Sequence, residues 1–231
     1  MTDEEKLLLH INAHRTAVRS DLPRNLLVDF IDRVKVAAAQ SKRTVVKSEL
    51  PTVDEIRLAP QRANKVAGLI RHEYVDEVFT EIASRHHGER VGSVEVPSRD
   101  KPKSKSLYLS TFRFGGTLLG FGSHFQREDL PRLNKTRKAL CALNEGLLPD
   151  LFRRVQNFSE SERFAVLMLQ RSHTDIGVYS SMSIGLIDNR GTQWVFRDEL
   201  SDFLAGYGAA EEREGRRTIR LKERTRRIAV K

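Results

Sequence analysis

Histidine and aspartate side chains at two places in the sequence could take part in acid–base chemistry. The first is His124, near the end of the glycine-rich stretch FRFGGTLLGFGSHF, residues 112–125. The second is the loop between two predicted strands that holds His173 and Asp175. An imidazole can transfer a proton near neutral pH, and a carboxylate beside it can orient it. His124, His173 and Asp175 are therefore candidate catalytic residues, although we favour the simpler interpretation that Asp175 bonds the backbone of its own turn.

The glycine-rich stretch predicts a β-hairpin with two different faces. If residues 115–116 form a two-residue turn, residue 114 pairs with 117 and residue 112 with 119. One face then carries Tyr108 with phenylalanine and leucine and is expected to face the core, whereas the other carries Arg113, two glycines and His124. Glycine inside a strand loses packing, so two on one face predict a close neighbour. That neighbour is either one of the protein's own helices or a ligand, whose phosphate Arg113 could meet.

A basic stripe is predicted on the helix that follows, from about residue 129 or 130 to 144. The stripe, with the arginine that precedes the helix, consists of Arg127, Arg132, Lys135 and Lys138. Arg137 falls among leucines on this helix, so it must reach solvent, pair with an acid or hold an anion. Together with Arg113 and His124, the stripe predicts one surface for an anionic ligand.

Positive charge is concentrated towards the carboxyl end of the chain. The 231 residues include 40 lysines and arginines and 31 acidic residues, a formal net charge of +9. The segment GRRTIRLKERTRRIAVK, residues 215–231, holds eight of the basic residues and one glutamate, so the remainder is nearly neutral. Such a segment favours polyanions, of which nucleic acids are the commonest, although a solubilising terminal strand has the same composition. Its candidate nucleic-acid contacts are Arg216, Arg217, Arg220, Lys222, Arg224, Arg226 and Arg227.

A change from helical to strand periodicity predicts an α+β fold. Residues 1–88 form a mostly helical region, and residues 89–231 form an antiparallel sheet of hairpins, each trailed by a helix, with a basic C-terminal strand; together they form one compact unit. Helices are predicted at 3–18, 21–40, 60–88, 129–144, 147–158 and 200–207. Strands are predicted at 44–47, 91–96, 108–114, 117–124, 164–171, 177–187 and 192–196, with a polar loop at 97–106.

Several classes of protein are excluded or disfavoured. The single cysteine, Cys141, excludes an internal disulfide and zinc sites built from cysteine pairs. The sequence contains no GxxxxGK[ST], GxGxxG, HExxH or GxSxG motif. No apolar run is long enough to span a bilayer, and the acidic start MTDEEKLLLH lacks a secretory n-region, so we expect a cytoplasmic protein that engages no membrane. His10 and His14 could share a metal on one helix, but a surface pair is the simpler interpretation.

These observations favour a cytoplasmic protein that binds DNA or RNA. A homodimer could form through the amphipathic N-terminal helices. The alternative is a nucleic-acid-processing enzyme, a nuclease or base-removing activity, with His124 or His173 and Asp175 as acid–base groups. Only a nuclease would require Mg²⁺, and the sequence assigns no other cofactor. A third alternative is a protein-interaction module.

Overall fold

The structure is a computed structural model that describes residues 2–48, 60–96, 103–124, 130–144, 162–172, 175 and 177–208. Within these ranges the chain forms five helices and eight strands. The helices are α1 (Asp3–Asp21), α2 (Arg24–Ser48), α3 (Pro60–Arg85), α4 (Lys135–Ala142) and α5 (Leu200–Ala205). The strands are β1 (Glu89–Arg90), β2 (Ser93–Val96), β3 (Lys103–Ser106), β4 (Phe112–Phe114), β5 (Thr117–His124), β6 (Arg163–Arg171), β7 (Tyr179–Ile187) and β8 (Trp194–Glu199).

Six strands form one mixed sheet, in the order β1-β4-β5-β6-β7-β8, and β2 pairs with β3 in a separate ribbon. The α+β class predicted from the sequence is confirmed. The sheet is not purely antiparallel, however, because β5 and β6 run parallel, with Thr117 opposite Arg163 and His124 opposite Gln170. Parallel neighbours require a long crossover, and residues 125–162, which include α4, connect these two strands. The carboxyl ends of β5 and β6 therefore lie at the same edge of the sheet, which we call the carboxyl edge.

Two apolar cores lie on opposite faces of this sheet. In the larger core, α1, α2, α3 and α5 cover one face, with Phe30 and Phe79 fully buried. In the smaller core, α4 and the β2-β3 ribbon cover the other face around Leu140. Consecutive residues of a strand point to opposite faces, so Leu118 enters the smaller core and Leu119 the larger one. We call α4, the ribbon and the residues that join them to the sheet the outer layer.

The N-terminal helices form where the sequence predicts them, but α2 is longer than expected. A capping box starts α1, because the Thr2 hydroxyl accepts from the Glu5 N–H and the Glu5 carboxylate accepts from the Thr2 N–H. The strand predicted at 44–47 is wrong, since α2 continues to Ser48. The Thr44 hydroxyl donates to the Gln40 carbonyl one turn earlier, at 3.1 Å. The Thr44 hydroxyl also lies 3.4 Å from the Tyr74 hydroxyl of α3, so α2 still meets α3 at this turn.

The loop predicted at 97–106 is also wrong in its second half. Lys103–Ser106 forms β3, which pairs antiparallel with β2, Lys103 opposite Val96 and Lys105 opposite Val94. All four residues of β3 are exposed, so no apolar alternation marks the strand in the sequence. Backbone pairing with β2 alone determines its conformation.

The helix predicted from residue 129 or 130 begins later, at Lys135. The Asn134 side chain caps it by accepting from the Arg137 N–H at 2.8 Å, and residues 130–134 are not helical. Arg132 therefore lies before the helix, not on its stripe. The helix predicted at 147–158 and the basic C-terminal strand lie outside the described residues.

Candidate functional site

The hairpin of the glycine-rich stretch has the register that the sequence predicts. Phe112 lies opposite Leu119 and Phe114 opposite Thr117, and Gly115 takes a positive φ of 55° in the turn. The apolar face of the hairpin enters the larger core, with Phe112, Leu119 and Phe121 all buried.

The glycine face of the hairpin packs against the protein itself. A Cβ atom added to Gly120 would lie 3.1 Å from the Phe164 ring. One added to Gly122 would lie 3.1 Å from Nη2 of Arg137 and 3.4 Å from Pro131. Gly122 thus lies under α4 and the segment before it, whereas Gly120 lies under a side chain of the adjacent strand β6. The glycines give room for an aromatic ring and a guanidinium to lie against the strand.

Arg137 is half-buried and bonds backbone carbonyls, while its role in holding an anion stays a prediction. Its Nη1 donates to the Arg132 carbonyl at 2.8 Å and its Nη2 to the Phe121 carbonyl at 3.3 Å. Burial lowers the pKa of this guanidinium, and among the described residues no carboxylate pairs with it. Arg137 thus ties the segment before α4 to the backbone of β5.

The structure separates Arg113 from His124. Arg113 lies opposite Leu118 at the beginning of β5, six residues from His124 at its end, a distance of about 20 Å along the strand. There Arg113 pairs with Glu162 at 2.5 Å and with Glu89 at 3.3 Å. These two carboxylates neutralise the charge that the sequence analysis assigns to a ligand phosphate.

His124 and Asp175 lie towards the carboxyl edge of the sheet. His124 is 8 % exposed and pairs across the strands with Gln170, whose side-chain oxygen accepts from the Ser181 hydroxyl at 2.8 Å. Asp175 follows β6 in the loop to β7. The parallel β5-β6 pair brings the two segments to one edge, which sequence spacing does not reveal. His173, which lies between Arg171 and Asp175, and Arg127 are outside the described residues.

Asp175 makes the contacts of a turn residue. Its Oδ1 accepts from the Gly177 N–H at 2.7 Å, and its Oδ2 pairs with the Lys42 ammonium at 2.9 Å. The hydrogen bond from Lys42, then that from Gly177, lowers the pKa of this carboxyl. A carboxylate held in the ionised form suits the turn interpretation. Its catalytic role stays a prediction, as does that of His124.

A cluster that the sequence analysis missed lies on the helical side of the same edge. The Arg71 guanidinium on α3 lies 5.5 Å from the centre of the Tyr179 ring. Burial raises the pKa of Tyr179 to about 12, against the opposing effect of Arg71 and Arg171. Burial, and next the charge of Arg71, lowers the pKa of Arg171. Strict alternation along β7 would place Tyr179 on the same face of the sheet as Ser181. A bulge between these two residues turns the Tyr179 ring to the other face, towards α3.

The outer layer carries an exposed group of cations. Its basic surface, as we call it, consists of Lys103, Lys105, Arg132, Lys135 and Lys138, all exposed. In β2, β3 and residues 130–144 the only acidic residue is Glu95. Within the described ranges, no carboxylate pairs with any of these five cations. Elsewhere, ion pairs engage Arg15, Arg33 and Lys42, at 2.6, 2.5 and 2.9 Å.

Strand register accounts for the position of the two ribbon lysines. Lys103 and Lys105 lie directly opposite Val96 and Val94, so they share the ribbon face that packs towards α4. Both stay exposed because β3 is the outer strand of the ribbon. They therefore border α4, whose exposed residues include Lys135 and Lys138. The sequence analysis found the lysines of α4 but assigned Lys103 and Lys105 to a loop.

An exposed aromatic ring lies beside the basic surface. The expectation that Tyr108 faces the core is wrong, because β4 begins only at Phe112 and Tyr108 is 85 % exposed. Its backbone N–H donates to the Thr136 hydroxyl of α4 at 3.3 Å. The adjacent Leu107 donates its N–H to the Gly92 carbonyl at 2.8 Å and packs against the smaller core. The backbone that carries the ring is thus held at both residues while the ring itself lies in solvent.

The remaining predicted features have mixed outcomes. His14 is buried, with its Nε2 3.0 Å from that of His10, so the expectation of a surface pair is wrong for His14. No three His, Cys, Asp or Glu side chains are grouped to hold a metal within the described part of the chain.

The face of α1 near Arg15 packs on the protein's own β8, where Arg15 binds Asp198 at 2.6 and 2.9 Å. The N-terminal dimer stays a prediction, and the tail residues 216–227 lie outside the described ranges.

Comparison with known proteins assigns no family. No family model matches the chain, and no curated protein matches it significantly. Of the helices in the described residues, none is both long enough and apolar enough to be a membrane span.

Proposed function

We propose that this protein binds nucleic acid, DNA or RNA, through the basic surface of its outer layer. The observation that carries the proposal is five exposed cations on segments whose only acidic residue is Glu95, with no ion pair to any of them from the described residues. Neutralising phosphates with such cations releases condensed counterions, which drives binding to nucleic acids. The tail residues 216–227 contribute seven further cations to the same partner.

The contacts differ from those expected from the sequence. Arg113 is neutralised by two glutamates, and the glycine face of the hairpin is covered, so neither supports a ligand surface. The support comes from Arg132, Lys135 and Lys138, which the sequence analysis selected, and from Lys103 and Lys105 beside them.

A salt titration with a matched pair of variants tests the proposal. Fluorescence anisotropy would measure the affinity of the full chain for a labelled oligonucleotide between about 50 and 200 mM salt. Each phosphate contact contributes roughly 0.7 to 0.9 to the slope of log K against log salt. Replacing Lys135 and Lys138 with glutamine should therefore reduce that slope by about 1.5 and weaken binding roughly tenfold at about 0.15 M salt.

The control removes the same charge from the opposite face of the molecule. Arg24 and Lys35 are exposed on α2, so Arg24→Gln with Lys35→Gln should leave both slope and affinity nearly unchanged. Equal losses in both double variants would mean that net charge alone governs binding. No binding by the wild-type chain at low salt would refute the proposal and favour a protein-interaction module.

A nucleic-acid-processing enzyme is the second candidate, because the parallel β5-β6 pair brings His124 to the same edge as the loop of Asp175. Incubation with plasmid DNA and with single-stranded RNA, with and without Mg²⁺, tests this candidate. Cleavage or base loss that disappears in His124→Gln would support it. A chain that binds but leaves both substrates intact would refute it.

A further inference from the structure

We propose that the basic surface binds single-stranded nucleic acid, with the Tyr108 ring stacked on an unpaired base. This inference rests on the proposed function and deepens it by naming the class of nucleic acid. It starts from the ring's exposure: at 85 %, Tyr108 is the most exposed large apolar side chain in the described residues. The other tyrosines there, Tyr74, Tyr179 and Tyr207, are buried or half-buried.

The backbone that carries the Tyr108 ring is held at two places. The Tyr108 backbone is anchored to Thr136, a buried residue of α4, and the preceding Leu107 is anchored to Gly92 and to the smaller core. Tyrosine has only two side-chain torsions to immobilise, so a ring on an anchored backbone loses little conformational entropy on binding.

Two lysines of the basic surface lie close to Tyr108. Lys105 lies three residues before Tyr108, within about 10 Å along the chain. Lys135 directly precedes Thr136, the residue to which the Tyr108 backbone is bonded. A stacked base at Tyr108 would therefore have lysines within reach of its flanking phosphates. Aromatic rings beside a cationic groove are the usual means of binding single strands without reading their sequence.

The Tyr108 ring cannot stack on a base of an intact duplex. In a duplex the face of each base is covered by the neighbouring base pairs, and exposing one base costs a few kcal/mol of unstacking and unpairing. The lysines can contact duplex phosphates equally well, so duplex binding should depend on the cations and not on Tyr108. The surroundings of the ring also favour nucleic acid over a protein partner. The core of a protein interface is typically an apolar patch with a polar rim, whereas the residues around Tyr108 are cationic.

Substitution of Tyr108 separates stacking from charge. Affinities of the full chain would be measured for an oligothymidylate and an oligouridylate, each of about 20 nucleotides, and for a duplex of the same length. Tyr108→Ala should weaken binding to the single strands roughly five- to a hundredfold, the range found for loss of base stacking. It should leave duplex affinity and the salt slope unchanged, since it removes no charge. Tyr108→Phe should bind within about twofold of the wild type, because the ring is kept.

The controls make each result decisive. Leu69→Ala removes an exposed apolar side chain from α3 and should change no affinity. Unchanged single-strand affinity in Tyr108→Ala, or an equal loss on the duplex, would overturn the inference while leaving the proposed function intact. No binding of any probe by the wild type would overturn both.

Discussion

Asn144 offers the sharpest test of how the outer layer is attached to the sheet. This residue follows α4 and is 1 % exposed. Its Nδ2 donates to the carbonyls of Phe164 and Ile187, at 3.0 and 2.6 Å, and its Oδ1 accepts from the Phe164 N–H at 2.7 Å. One amide thus links the end of α4 to the start of β6 and the end of β7.

Asn144→Ala leaves three buried backbone groups without their partners. Each hydrogen bond contributes about 1 kcal/mol net, so the substitution should lower the free energy of unfolding by about 3 kcal/mol. Relative to a typical total of about 5 to 15 kcal/mol, this is a large loss. Urea unfolding followed by the fluorescence of Trp194, the only tryptophan in the chain, would measure it. Asn134→Ala, which removes the single exposed cap bond of α4, should cost only about 1 kcal/mol.

The isosteric variant Asn144→Asp distinguishes hydrogen bonding from packing. Its shape is the same, but a carboxylate oxygen would face two carbonyl oxygens instead of donating to them. At neutral pH this variant should be at least as destabilised as Asn144→Ala. It should recover partly as the pH falls towards about 4, because burial beside two carbonyl oxygens raises the pKa of the new carboxyl group, and its protonated form can donate one bond. Wild-type stability in Asn144→Asp, or a loss in Asn144→Ala no larger than that of Asn134→Ala, would refute this account.

Three further predictions concern single side chains. His87, two residues beyond the end of α3, has a positive φ of 62°, and its N–H is bonded to the Ser84 carbonyl. His87→Gly should therefore raise the free energy of unfolding by about 1 kcal/mol, and His87→Ala should not. Burial raises the pKa of the Cys141 thiol to about 12, so iodoacetamide at about pH 8 should modify this thiol only under unfolding conditions. Mass spectrometry would detect the modification, and rapid labelling of the native protein would contradict the prediction. Burial also raises the pKa of Tyr179 to about 12, from an ordinary value of about 10. The stabilisation that depends on the neutral phenol is therefore complete below about pH 10 and is lost as the pH rises through about 12. Urea unfolding of Tyr179→Phe should lack that part of the alkaline loss, and identical pH profiles for the two proteins would contradict the shift.

The hairpin and most of the helices could be predicted because their signals are local. Residues 115–116 determine the hairpin register, since a two-residue turn leaves one pairing of the flanking strands, and Phe112 then necessarily shares a face with Leu119. The helical period of α2 likewise places Leu27, Phe30 and Val34 in the core. The same period did not predict where α2 ends, because Thr44 and its neighbours favour strands locally.

The candidate site depended on contacts between distant parts of the chain. Arg132, Lys135 and Lys138 are visible as a basic run in the sequence. Nothing local shows that Lys103 and Lys105 join them, since that depends on pairing of the β2-β3 ribbon and on its packing against α4.

Composition and periodicity by themselves determined the α+β class, the apolar faces and the excess of positive charge, because these depend on each residue's own chemistry and its near neighbours. Only the tertiary structure decided which cations remain available. It pairs Arg113 with Glu89 and Glu162 and bonds the half-buried Arg137 to the backbone of β5, whereas Lys135 stays exposed. The physical reason is that the effective charge of a side chain depends on its burial and on carboxylates brought close by folding.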